Sequence, residues 1–257
     1  MDIPIISIKP FYQPPSRNEN RAPESPTIQK TIQALQLQPH PEGGYYCETD
    51  RHPLRIPNPY CDDMDNRKTV TETDGEKATR SASTTIYYFI TPGSPMGYFH
   101  RNRSRTVHTL HRGRGRYVIL HADRAKENGG IAPIESFVVG HRIEKGERLQ
   151  WVVDGGKYKC SYLLPDSDGD LPDDNKSEGL LISETVVPGF EFYDHDFLTA
   201  EKMEQLLTTE QVEELKWMTM KKDAADGAEP KRTEGRPAYI PRMVCLRDRL
   251  AAGADGA

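Results

Sequence analysis

The sequence has no run of about eighteen apolar residues, which a membrane-spanning helix requires. It also has no excess of basic residues, since 34 Lys and Arg stand against 39 Asp and Glu for a net charge of −5. Nucleic-acid binding needs a clear basic excess, so we expect neither a nucleic acid nor a membrane as a partner. The first fifteen residues have no basic region before their short apolar run and no small-residue cleavage site, so we expect no secretory signal.

Cysteines are few and far apart. The four cysteines, Cys47, Cys61, Cys160 and Cys245, form no C-x-x-C pair. This spacing argues against a zinc ribbon and against a disulfide framework. We therefore expect a cytoplasmic protein with reduced thiols.

Apolar residues are scarce for a chain of 257 residues: they make up 35% of it, and the mean hydropathy is −0.73. A sizeable part of the chain therefore forms loops or tails that bury little. Proline-rich and charged stretches place these parts at both ends and in one insertion. The predicted organisation is an extended N-terminal arm at 1–26, a β-domain at 27–198 with an insertion at 50–80, C-terminal helices at 199–220, and a flexible tail at 221–257 with enough apolar residues at 238–250 to dock.

Short β-branched and aromatic runs dominate the middle of the chain. Residues 82–91, A-S-T-T-I-Y-Y-F-I-T, are typical of a buried strand, and similar runs follow between glycine-containing turns. Many short strands with such turns favour an antiparallel sandwich or barrel. Helical spacing appears at 27–37 and at 199–218, with a break near Thr208. The sequence therefore predicts a mainly all-β fold with a short N-terminal helix and C-terminal helices.

Residues 98–113, Y-F-H-R-N-R-S-R-T-V-H-T-L-H-R-G, hold three of the eight histidines together with several arginines. An imidazole serves as ligand, acid or base near neutral pH, so this stretch is the strongest candidate site. Strand alternation lets His100 share a face with Tyr98. It places His111 opposite His108 unless a bulge intervenes.

Three segments resemble the cupin superfamily branch known as DUF985 or Cupin_5. They are H-P-E-G-G-Y-Y-C-E-T at 40–49, S-A-S-T-T-I-Y-Y-F-I at 81–90 leading to F-H-R at 99–101, and V-V-P-G-F-E-F-Y-D-H-D-F at 186–197. The resemblance implies a double-stranded β-helix, a jelly-roll barrel with a pocket in its mouth, similar in shape to the dTDP-sugar epimerases. It also implies a homodimer.

The sequence departs from the metal-binding pattern of this superfamily. When S-D-E-I-W-H-F-H-A-G is placed on residues 104–113, the acidic pair becomes Arg105 and Thr106, and the first histidine becomes Thr109. In the second motif, at 153–158, the proline becomes Asp154 and no histidine is present. Too few ligands remain for a closed metal site, so we expect no cofactor. The alternative is a partial first-row metal site at His100, His108 and His111, if a bulge brings them together.

The resemblance and the residues together predict an enzyme that acts on a small polar metabolite by metal-independent acid/base chemistry, of the isomerase, epimerase or cyclase type. His100 is the expected base, and Tyr158, Tyr88 or His108 returns the proton. Arginines are expected to hold a carboxylate or stabilise an enolate. The predicted catalytic residues are His100, His108 and Tyr158, and the predicted substrate-binding residues are Glu48, Tyr88, Arg101, Arg105 and His111.

Three other interpretations fit the same residues. The barrel holds a metabolite without chemistry, or it is a metal-dependent oxygenase or isomerase. In the third, the arginines and histidines between 100 and 116 are only the polar, solvated face of a sheet.

Overall fold

The β-branched and aromatic runs of the sequence form two antiparallel sheets that pack face to face. The computed structural model describes residues 8–13, 24–60, 78–167 and 176–220. Predictions made for the rest of the N-terminal arm, the middle of the insertion and the C-terminal tail lie outside these ranges. The strands are β1 Gln38–Pro39, β2 Tyr45–Arg51, β3 Arg55–Pro57, β4 Thr79–Ser81, β5 Thr84–Ile90, β6 Met96–Arg101, β7 Arg105–Arg112, β8 Gly115–Leu120, β9 Ile134–Val139, β10 Gln150–Val153, β11 Tyr158–Leu163, β12 Leu180–Val187 and β13 Asp196–Phe197.

The larger sheet has the order β1-β2-β5-β12-β7-β10 and the smaller one β13-β6-β11-β8-β9. Buried side chains from both sheets meet in one cluster, including Tyr88 and Leu110 from the first and Tyr117 and Leu163 from the second. A sheet that buries one face against another in this way, with non-consecutive strands paired, has the architecture of a jelly roll. The predicted all-β jelly-roll fold is confirmed.

The helices lie outside the two sheets. They are α1 Pro26–Ala34, α2 Ala200–Leu206 and α3 Thr209–Leu215. Each helix begins behind a hydroxyl cap, which is Ser25, Thr199 or Thr208, because the cap oxygen accepts a backbone N–H of the first turn. Helix α1 packs on the outer face of the larger sheet, and α2 and α3 cover the outer face of the smaller one. No helix in the described part of the chain is long and apolar enough to cross a membrane.

A bulge in β6 determines which side chains face the interior. His100 pairs with Lys159 of β11, whereas Gly97 pairs with Ser161, so three steps along β6 match two along β11. Both Gly97 and His100 can therefore face inward. Tyr98 instead packs against the cluster beneath α2 and α3, so the predicted shared face of Tyr98 and His100 is wrong.

The ends of the predicted surface insertion at 50–80 are ordered strands. Arg55–Pro57 pairs with Thr79–Ser81 in a separate two-stranded sheet. Arg80, in the second of these strands, is fully buried. The composition of 50–80 predicts a loop because its many charged residues hide the apolar alternation by which a short strand is recognised.

Candidate active site

The H-P-E-G-G turn between β1 and β2 carries a buried carboxylate, Glu42. The turn is pressed against β6: Tyr98 N–H donates to the Glu42 carbonyl at 2.8 Å, and a Cβ on Gly43 would lie 2.2 Å from the Met96 carbonyl oxygen. Gly43 also has a φ of +102°, which disfavours any other residue. Tyr88 Oη donates to the Gly43 carbonyl at 2.8 Å. These contacts fix the Glu42 side chain at the interior of the barrel, where it is 8% exposed.

Three imidazoles surround this carboxylate. Its Oε1 lies 2.6 Å from His195 Nε2, and its Oε2 lies 3.1 Å from His100 Nδ1 and 3.7 Å from His40 Nδ1. His100 Nδ1 is also 2.9 Å from the Tyr98 carbonyl, so its acceptors assign the proton to Nδ1. The His100 and His195 rings stack at 5.2 Å. We call His40, Glu42, His100 and His195 the outer cluster.

The charges of the outer cluster follow from burial and from these contacts. Burial alone would raise the pKa of Glu42, but the nearby imidazoles of His100 and His40 and the hydrogen bond from His195 lower it to about 2. Burial lowers the pKa of His100 to about 3, against an opposing effect of Glu42. At neutral pH the cluster therefore contains an ionised Glu42 beside a neutral His100.

A second group of polar side chains lies deeper in the barrel. Lys159 Nζ donates to Glu184 Oε2 at 2.7 Å and lies 2.9 Å from His108 Nε2. Glu184 and His108 are cross-strand neighbours in the larger sheet, and Lys159 reaches both of them from β11 of the smaller sheet. Burial would raise the pKa of Glu184, but the Lys159 ammonium and His108 hold it well below its usual range. We call His108, Lys159 and Glu184 the inner cluster.

His195 connects the outer cluster to the protein surface. Its side chain is 14% exposed and borders an opening of about 280 Å³. Two ion pairs shape this opening, Arg101 with Asp196 at 2.7 Å and the buried Arg80 behind it with Asp194 at 2.6 Å. The lining residues are Arg101, Asn102, Arg103, Gly156, Tyr193, Asp194, His195 and Asp196.

The buried groups predict a marked loss of stability in acid. A histidine with a lowered folded pKa binds fewer protons when folded, so stability falls as pH drops from 6.5, the ordinary His100 value, towards about 3. The ionised Glu42 carboxylate stabilises the fold fully above pH 4.5, and this stabilisation is lost as pH falls towards about 2. We expect protonation of His100 alone to lower the free energy of unfolding by roughly 2–5 kcal/mol as pH falls across this range.

Urea unfolding at pH 7, 5.5 and 4.5 measures this effect. The substitution His100→Asn is expected to flatten the pH dependence, whereas His111→Asn, at an exposed position, leaves it unchanged. An equal pH dependence in wild type and His100→Asn would contradict the assignment.

Several predicted residues lie together in the barrel. His100 belongs to the outer cluster and His108 to the inner one, and both are almost fully buried. Tyr88 is 3% exposed and contacts His40 with ring centroids 5.5 Å apart. Arg101 lines the opening beside His195.

Other predicted residues lie elsewhere. Glu48 is exposed and binds Arg51 at 2.8 Å, and Arg105 is exposed 3.7 Å from Asp154. His111 is exposed next to Tyr87, on the face of β7 opposite His108, so the alternative trio of His100, His108 and His111 is not assembled. Tyr158 faces away from the interior because it alternates with Lys159, and its hydroxyl donates to Asp196 Oδ2 at 3.1 Å.

The prediction missed five residues of the two clusters. They are His40, Glu42, Lys159, Glu184 and His195. Two signals were present in the sequence, since H-P-E-G-G and D-H-D-F both belong to the segments on which the resemblance rests. An acidic residue or a histidine within a motif that carries the resemblance was the available hint for Glu42 and His195.

Comparison with known proteins agrees with this architecture. Residues 29–198, more than half of the chain, match the family described as Cupin superfamily (DUF985). An uncharacterized protein of Saccharomyces cerevisiae, YML079W, is 42% identical over 200 residues, which cover 76% of this chain and 88% of the yeast protein.

Two solved structures are similar in fold. A hypothetical protein from Leishmania major is 31% identical with a TM-score of 0.57, and the match covers 75% of this chain and 98% of that one. Protein SO0799 from Shewanella oneidensis is 18% identical with a TM-score of 0.53 over 77% and 99% of the two chains, which shows the fold alone. By its sequence match and its jelly-roll architecture, the chain belongs to the DUF985 family of the cupin superfamily.

Proposed function

We propose that this cupin moves a proton on a small polar metabolite, as an isomerase, epimerase or cyclase does, without a metal. The observation that carries the proposal is the 2.6 Å contact between Glu42 Oε1 and His195 Nε2, at the edge of the opening. A buried carboxylate that orients an imidazole is a common arrangement for a general base. The expected substrate has an acidic C–H next to a carbonyl group.

His195 is the base in this mechanism. Because its Nε2–H donates to Glu42, the lone pair of the neutral ring lies on Nδ1. When Nδ1 takes a proton, the ionised Glu42 stabilises the resulting imidazolium. His100 was the base expected from the sequence, but a pKa of about 3 makes it a poor proton acceptor at neutral pH. We assign His100 the task of packing against His195 and fixing Glu42.

Two further side chains of the opening complete the mechanism. Burial and the Glu191 carboxylate raise the pKa of Tyr193, so its phenol stays protonated and can return the proton on the other side of the substrate. Arg101 is held by Asp196 and lines the same opening. Its guanidinium can hold a substrate carboxylate or the oxygen of a developing enolate.

Solvent deuterium exchange tests the proposal without knowledge of the product. The protein is incubated in D₂O with a panel of 2-oxo acids, ketoses and uronic acids, and each compound is followed by proton NMR and mass spectrometry. We expect loss of one C–H signal and a gain of one mass unit for at least one compound. Binding of a compound without exchange would favour a non-catalytic binding protein instead.

A metal-dependent enzyme is a second candidate because Glu42, His100 and His195 offer ligand atoms within 4.8 Å of one another. One carboxylate and two imidazoles suit a first-row metal by type. A bound metal would supply a Lewis acid for substrate oxygens. Two contacts favour hydrogen bonding instead: 2.6 Å between Glu42 and His195, and 2.9 Å between His100 Nδ1 and the Tyr98 carbonyl.

Metal content separates the two candidates. Protein purified without a histidine tag is dialysed against Fe²⁺, Mn²⁺, Ni²⁺ or Zn²⁺ and analysed by mass spectrometry. We expect substoichiometric metal in wild type and no difference between Glu42→Gln and the exposed control Glu48→Gln. One equivalent of metal that is lost in Glu42→Gln and kept in Glu48→Gln would favour the metal enzyme.

Homodimeric assembly and a cytoplasmic location stay predictions.

A further inference from the structure

Arg80 is the largest fully buried side chain in the described part of the chain, and it lies outside both clusters. Its guanidinium contacts four residues from three segments of the chain. It forms an ion pair with Asp194 Oδ2 at 2.6 Å and donates from Nε to Asn58 Oδ1 at 2.8 Å. Its Nη1 also donates to Ser104 Oγ at 3.3 Å and to the Gly189 carbonyl at 3.2 Å.

These contacts converge on the turn that carries His195. Asp194 directly precedes His195 and ends the short 3₁₀ helix Phe192–Asp194. His195 N–H in turn donates to the Phe192 carbonyl at 3.3 Å. The start of the same segment is tied down as well, because Gly189 N–H donates to the Ser81 carbonyl at 2.8 Å.

Arg80 also contacts aromatic rings at the opening. Its guanidinium carbon lies 4.7 Å from the Tyr60 ring centroid and 5.9 Å from that of Tyr193. Tyr193 lines the opening and is the proposed proton donor. Arg80 therefore contacts both Asp194, the residue directly before His195, and Tyr193, the residue before that.

Stability alone does not account for such an arrangement. A buried ion pair pays a large desolvation cost and is often no more stable than apolar residues of the same volume. The guanidinium suits a positioning role, because its planar fork of five donors can satisfy several fixed acceptors at once, whereas a lysine ammonium cannot match that geometry.

We propose that Arg80 is a positioning residue for the proton-transfer site, acting through Asp194 to hold His195 Nε2 against Glu42. The inference rests on the proposed function of the Glu42 and His195 pair. It also assigns a role to the insertion at 50–80, since Asn58, Tyr60 and Arg80 all come from the ends of that segment. The described ends of the insertion thereby support the lining residues Tyr193 and Asp194 from outside the barrel.

The ring tautomer of His195 reports this positioning directly and needs no substrate. Long-range ¹⁵N–¹H NMR correlations of ¹⁵N-histidine-labelled protein are recorded for wild type, Arg80→Met and Arg80→Lys, with His195→Asn to assign the signal. The matched control is Arg114→Met, which breaks another largely buried Arg–carboxylate pair, with Glu147 at 2.7 Å. All spectra are taken at pH 7.5.

We expect wild type and Arg114→Met to show one His195 tautomer, with the proton on Nε2. Arg80→Met is expected to show at least a tenfold loss of preference for that tautomer, and Arg80→Lys an intermediate value. If Arg80→Met does not fold, the double variant Arg80→Met/Asp194→Asn removes both buried charges and should give the same mixed tautomers.

The outcomes distinguish the two levels of the argument. A wild-type His195 without its proton on Nε2 would overturn the proposed pair with Glu42. The role of Arg80 alone would be overturned if wild type has the proton on Nε2 and Arg80→Met, or its double variant, keeps the same tautomer. An equal change in Arg114→Met would also overturn it, because the effect would then follow from the loss of any buried ion pair.

Discussion

The substitution His195→Asn should lower the rate of deuterium incorporation into a responding metabolite by about 10²- to 10⁴-fold, the usual contribution of a positioned general base. Asparagine can still donate a hydrogen bond to Glu42, so the buried carboxylate keeps a partner and the fold is preserved. It has no nitrogen that accepts a proton near neutral pH. The measurement is the exchange rate in D₂O at saturating compound, with the melting temperature recorded for each variant.

Two further variants locate the base within the outer cluster. We expect Glu42→Gln to slow exchange as well, because the amide neither orients the His195 tautomer nor stabilises the imidazolium. His111→Asn, at an exposed position on the outer sheet face, is the control and should exchange at the wild-type rate. Wild-type exchange in His195→Asn together with lost exchange in a folded His100→Asn would return the role of base to His100.

Much of the fold followed from local pattern. The run at 82–91 predicted a strand, and β5 occupies Thr84–Ile90. The helical spacing at 27–37 predicted a helix, and α1 occupies Pro26–Ala34. Strand alternation also placed His108 and His111 on opposite faces of β7, as observed. These features depend on neighbouring residues, so periodicity is sufficient to find them.

The site could not be found in the same way. Glu42 and His195 are 153 residues apart and both lie outside strands, in a turn and after a 3₁₀ helix, where alternation gives no direction. Lys159 lies in the run K-Y-K-C-S-Y. Alternation shows which of these residues share a face, but it does not show which of the two faces points into the barrel. Burial of a lysine is unfavourable unless a partner is present, and the partner, Glu184, comes from the opposite sheet. Only the closure of the barrel brings these residues together.

The inner cluster predicts the largest effect on stability. Glu184→Leu removes the carboxylate that binds Lys159 Nζ at 2.7 Å and leaves an ammonium that is 4% exposed without its charge partner. Breaking a buried pair in this way costs about 3–5 kcal/mol, because the remaining charge stays desolvated. Urea unfolding at pH 7 measures the loss, with Glu48→Leu at an exposed ion pair as the control, for which we expect a change of about 1 kcal/mol or less.

The double variant Lys159→Met/Glu184→Leu separates the charge from the packing. Both replacements are apolar and of similar volume, so the desolvation cost of both ions disappears together with their attraction, and we expect most of the lost stability to return. His108 then loses its Lys159 contact at 2.9 Å but keeps its stacking on Trp151 at 5.1 Å. If the double variant is as unstable as Glu184→Leu, the cost lies in the shape of the barrel interior. If Glu184→Leu itself loses less than about 1 kcal/mol, Lys159 has found another acceptor or water, and the inner cluster is not the closed ion pair described by its distances.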